Sequence, residues 1–151
     1  MDYTLHKITA KEELDTIVEV WFKARNYPYV PYSPIISPIL GYTEEDQARA
    51  LSASKERAWA GFLKSEESHT EWICVKHKSG QVVGGCQWMW MPGSPFPNGC
   101  PQVDMKWWPE GEQRDFVEEM LQQVMTPRSL WMQREHGGRP FTLYRVRAET
   151  S

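Results

Sequence analysis

Residues 3–9, YTLHKIT, alternate well enough for a short first strand, and Thr9 followed by Glu12 has the form of a capping box that opens a helix near Ala10. Leu14, Ile17, Val18, Trp21 and Ala24 then recur at helical spacing over residues 10–26, with Lys11, Glu12, Asp15, Glu19 and Lys23 off the stripe, which predicts an amphipathic helix. Thr43 is placed to cap a second helix over residues 44–66, whose apolar contacts come from Ala48, Leu51, Ala58, Trp59 and Phe62. EWICVKH (71–77) and VVGGCQWMW (82–90) are β-rich runs separated by Lys78, Ser79, Gly80 and Gln81, a hairpin signal that makes the two strands antiparallel. Period-two alternation puts Trp72 and Cys74 on one face of the first strand, and Trp88 and Trp90 on one face of the second. Gly84 and Gly85 are poor strand formers and mark a bulge or a close approach by another group.

The remaining pattern is less regular. YPYVPYSPIISPILGY (27–42) holds four prolines and four tyrosines, which predicts a loop that packs against apolar surface, as a seal on the core or as a substrate lid. MPGSPFPNGCP (91–101) is rich in turn residues, and DMKWWPEGE (104–112) leads into a helix over residues 111–125 with Phe116, Met120 and Val124 on one stripe. Pro127 is expected to end or kink that helix, with Leu130, Trp131 and Met132 in a further short helical piece. His136 to Pro140 break the chain before FTLYRVRA (141–148), a fourth strand with Tyr144 on one face and Arg145 and Arg147 on the other. The fold class expected is α+β, a mainly antiparallel sheet flanked by helices, in the order β-α-α-β-β-helical insert-β within one domain over residues 1–151.

Composition narrows the partners. The chain of 151 residues has a net charge of −3 and gives no electrostatic reason to expect nucleic acid or an anionic membrane surface. No apolar run approaches the ~18–20 residues of a spanning helix, and MDYTLHKITAKEEL lacks the layout of a signal peptide, so a soluble, cytoplasmic protein is expected. Cys74, Cys86 and Cys100 include no CxxC, and His6, His69, His77 and His136 show no ligand spacing, so neither a disulfide framework nor a metal site is indicated. Eight tryptophans, six tyrosines and five phenylalanines exceed what one core face needs and suit an apolar ligand pocket.

The order strand, two helices, hairpin, with VVGGCQW in the second hairpin strand, resembles the opening half of the Gcn5-related N-acetyltransferase (GNAT) fold. QWMW, WWPEGE, TPRSLWM and RPFTLYRV sharpen the likeness to a fungal branch with an insert before its fourth strand. The resemblance implies that the strand is followed by a Q/R-x-x-G-x-G/A turn opening a helix, which holds the pyrophosphate of acetyl-CoA on backbone N–H groups. This sequence reads ETS at that point, so a half-fold is expected, without the pyrophosphate-binding segment and with at most the fourth-strand edge for a pantetheine arm. The exposed edge of that strand then predicts a homodimer through it.

DMKWWPEGE reads first as an exit from the sheet, with Pro109 at the boundary and Glu110 and Glu112 near a helix start. The functional alternative makes Trp107 or Trp108 the wall of a pocket with Trp88, Trp90, Tyr27, Tyr29, Tyr32 and Tyr144. Asp104, Glu110 or His136 would be its acid–base group, a carboxyl there having its pKa raised by apolar surroundings. Three classes follow: a cofactor-independent small-molecule enzyme, placed slightly ahead; an acyl-CoA-dependent transferase completed by a partner or a missing half; and a non-catalytic binding module for a small molecule or a protein.

Overall fold

The computed structural model describes residues 2–26, 35, 38–67, 69–91, 96, 98–136 and 141–148, the last strand by its backbone. The elements run β1 (Tyr3–Lys7), α1 (Lys11–Asn26), α2 (Glu44–Phe62), β2 (Thr70–His77), β3 (Val82–Met91), α3 (Glu112–His136) and β4 (Phe141–Ala148). This is the expected α+β order. The strands form one sheet in the order β1-β2-β3-β4, with β1 antiparallel to β2 and β2 antiparallel to β3. The chain divides into two compact units, residues 1–89 with 143–151, and residues 90–142.

In the first unit the alternation of β2 sets the layers. Thr70, Trp72 and Cys74 are buried while Glu71 is exposed, so the even-numbered positions face inward. The core is Ile8, Leu14, Ile17, Trp21, Trp72 and Cys74, with Ala58, Trp59 and Phe62 of α2 packed against it. The rings of Trp21 and Trp72 lie 5.9 Å apart, and Trp59 stacks on Phe62 at 5.1 Å. Trp72 Nε1 donates to Ser65 Oγ at 3.1 Å, whereas Trp21 Nε1 has no partner among the described residues.

Both readings of the Gly-Gly pair are realised. Val75 pairs with Gly84 and Lys76 with Val82, so one residue of β3 bulges out of the ladder. A Cβ on Gly85 would stand 2.7 Å from Ile17 Cδ1, and 3.0 Å from both Ile17 Cγ2 and the Ile73 carbonyl oxygen, so α1 rests on bare backbone there. α2 opens as expected: Thr43 Oγ1 accepts from the Asp46 N–H at 3.1 Å, and Asp46 accepts from the Thr43 N–H at 3.0 Å.

Several details differ from the sequence reading. Thr9 N–H donates to Glu13, not Glu12, because the carboxylate one residue further on points back toward the strand. β1 ends at Lys7 and α2 at Phe62, and Ala48 faces solvent. In the second unit α3 passes through Pro127 without a break and includes Leu130 to Met132. Proline removes one N–H donor, and the neighbouring hydroxyls bond nearby carbonyls: Thr126 Oγ1 donates to the Gln122 oxygen, and Ser129 Oγ to the Thr126 oxygen, each at 2.8 Å. The buried side of α3 carries Val117, Ser129 and Met132, while Phe116 and Val124 of the expected stripe are exposed.

Two glycines separate packing from backbone entropy. Gly85→Ala should destabilise the protein by roughly 1–3 kcal/mol, since buried Ile17 must move. Gly61→Ala, with nothing within 4 Å of the added carbon in α2, should stabilise it by about 0.5–1 kcal/mol. Urea midpoints at neutral pH read both; equal shifts of one sign would show that α1 does not seat on Gly85.

Candidate functional site

The segment 103–108 is strapped along α3 by side chains of that helix. The N–H of Val103 donates to Gln122 Oε1 and that of Met105 to Glu118 Oε1, each at 2.8 Å, and the N–H of Trp108 closes a turn on the Met105 carbonyl. Arg114 ties the strap down, donating at 2.8 Å to Glu118 Oε1 and to Asp104 Oδ1. The Arg114 guanidinium and the Met105 N–H hold the Glu118 carboxyl below the usual range, and Glu118 in turn raises the pKa of Arg114. Met105 is the buried side chain of DMKWW, and Trp107 is 39% exposed. The stretch is an exit and a strap.

Two of the expected acid–base groups, Asp104 and Glu110, are exposed. Asp104 is exposed and engaged by Lys106 Nζ at 3.0 Å as well as by Arg114, and Glu110 lies on the surface, so neither has the apolar surroundings expected of it. His136 is the last residue of α3, and Tyr144, Arg145 and Arg147 lie on β4; their side chains, like Tyr27, Tyr29 and Tyr32 altogether, are outside the described residues. Trp88 belongs to the first unit and Trp90, Trp107 and Trp108 to the second. Trp88 Nε1 donates to Cys86 Sγ at 3.0 Å, a contact between i and i+2 on one strand face. Cys74 is fully buried, and burial pushes its thiol up, which leaves it inert.

One carboxylate with three partner residues was not among the expected site residues. Glu13 Oε1 lies 2.7 Å from His6 Nε2 on β1 and 3.1 Å from Lys76 Nζ on β2, while Oε2 accepts from the Thr9 N–H at 3.1 Å. The Thr9 N–H, with Lys76 and His6, outweighs burial and holds the Glu13 carboxyl down at about 2. Such a group is a permanent anion at neutral pH and serves as a clamp. Beside it an open concavity of about 540 Å³ is lined by Glu12, Glu19, Lys23 and Gln81, among others. The signal in the sequence was slight, because the partners are 7 and 63 residues away.

The described helix starts do not fit the pyrophosphate of acetyl-CoA. α1 has Glu12 and Glu13 in its first turn, α2 has Glu44, Glu45 and Asp46, and α3 has Glu112 and Asp115. Carboxylates there stabilise the helix dipole and repel a second anion. Among the described residues no group of three His, Cys, Asp or Glu is arranged to hold a metal ion, and no helix is long and apolar enough to cross a membrane. Comparison with protein-family models, curated proteins and solved structures gives no match.

Glu13→Gln should cost roughly 1–3 kcal/mol at neutral pH, the range for hydrogen bonds to a charged group. Because the folded carboxyl titrates at about 2 against an ordinary 4.5, its contribution is complete above pH 4.5 and is lost as pH falls toward 2. Urea unfolding of both proteins at pH 7, 4 and 2 should show a gap that narrows with acid; a gap independent of pH would mean that the charge of Glu13 contributes nothing.

Proposed function

We propose that the chain is a non-catalytic protein-binding module built on the first half of a GNAT-like scaffold, with the outer face of its sheet as the contact surface. The observation that carries this reading is the exposure of that face. Leu5, 76% exposed, pairs with Val75 across the strands, and Tyr3, 58% exposed, pairs with His77. Cross-strand partners share a face, which places Tyr3, Leu5, Ile73, Val75, Cys86 and Trp88 opposite the buried Trp72 and Cys74. Small-molecule sites are concave, whereas a sheet face is broad and suits a protein surface. The exposure of Asp104 and Glu110 withdraws support from the acid–base enzyme reading. The strand order, with two helices between β1 and β2 and a glycine contact in β3, supports the GNAT-like likeness.

One observation favours a second reading, an acyl-CoA-dependent transferase completed by another segment or chain: β4 ends the described sheet, at the edge where a pantetheine arm pairs in the family that the sequence resembles. The two readings part on affinity. Calorimetric titration of this chain with acetyl-CoA should show no binding below the millimolar range, and a photo-cross-linking residue at position 5 should trap a protein partner that Val75→Lys loses with an unchanged circular dichroism spectrum. Micromolar acetyl-CoA affinity would overturn the first reading and favour the second.

A further inference from the structure

α3 is amphipathic twice. Its buried side holds Val117, Ser129 and Met132, and at about 100° per residue a second stripe runs beside it through Phe116, Met120, Val124, Pro127 and Trp131. Phe116 is 65% exposed, Val124 54% and Trp131 51%, and Leu130 flanks them at 59%. Residues 116–131 give the stripe a length of about 22 Å, enough for a helix–helix contact.

The charges on α3 choose the occupant. Residues 112–124 carry four carboxylates (Glu112, Asp115, Glu118, Glu119) against one guanidinium (Arg114), whereas residues 125–136 carry two guanidinium groups (Arg128, Arg134) against one carboxylate (Glu135). Two such helices repel when parallel and attract when antiparallel, and their dipoles favour the same arrangement. We propose that α3 of a second copy of this chain docks antiparallel on the stripe, related by a two-fold axis beside Gln123 and Val124. In that register Phe116 meets Trp131 of the second copy, and Met120 meets Pro127. Glu112 comes level with Glu135 and one residue from Arg134, on the flank that Arg134 occupies, so the exposed Arg134, which donates to Glu135 at 2.8 Å in the single chain, exchanges that partner for Glu112, twice by symmetry.

About five apolar side chains per copy bury less than the ~800 Å² per partner of a standard interface, so the dimer is weak, with a dissociation constant on the order of tens of micromolar. Sedimentation velocity across a dilution series of the full chain tests it. The native chain should dimerise reversibly, Val124→Glu should weaken the dimer at least about tenfold, and Arg134→Glu about threefold or more. The double variant Glu112→Arg/Arg134→Glu, which restores the pair with its signs exchanged, should recover affinity to within about threefold, a result that misfolding does not produce. A native chain that stays monomeric to several hundred micromolar would overturn the proposal. So would a dimer indifferent to Val124→Glu and to both charge variants, as one formed through the edge of β4 would be.

Discussion

The contact of Ile17 with the bare backbone of Gly85 governs the first unit. A helix and a sheet approach only as closely as the side chains between them allow, and at this point one partner contributes no side chain. The Trp21 and Trp72 rings meet beside it, and Glu13, four residues before Ile17 on the same helix, reaches both His6 and Lys76. The bulge brings Lys76 opposite Val82, so the strand that supplies the glycine also sets the register of the lysine that closes on Glu13.

The second unit is held differently. Its long helix buries a narrow side, and much of what attaches the preceding chain to it is polar: backbone N–H groups of Val103 and Met105 on Gln122 and Glu118, and the Phe96 carbonyl on Gln133 Nε2 at 2.7 Å. Each such bond contributes of the order of 1 kcal/mol net, but leaving a backbone N–H unpaired costs more, so the strap specifies a path more than it supplies stability. A helix held in this way keeps the rest of its circumference for other contacts.

Carboxylates serve this chain as structural groups. They charge every described helix start, and the same placement that stabilises those helices removes them as seats for a phosphate. Glu13 and Glu118 are held ionised by N–H groups and cations, and Asp104 is spoken for by Lys106 and Arg114. That pattern is one of fastening.

The periodicity of the sequence alone determined the element order, the α1 stripe, the Thr43 cap, the hairpin and the special role of Gly84-Gly85, because each depends on residues close in the chain. Tertiary structure decided the rest. Which face of α3 is covered was not legible, because Phe116, Met120 and Val124 and the alternative Val117, Ser129 and Met132 both fit a helical period, and only the packed neighbours choose between them. Pro127 removes one N–H donor from the interior of α3, and the helix nonetheless runs through it. The clamp at Glu13 joins residues that lie far apart in sequence, and Asp104 proved a salt-bridged surface group because Arg114, a turn of helix away from Glu118, reaches it. Local pattern fixes which segments are helix or strand; which side of each is covered depends on long-range contacts that no single stretch contains.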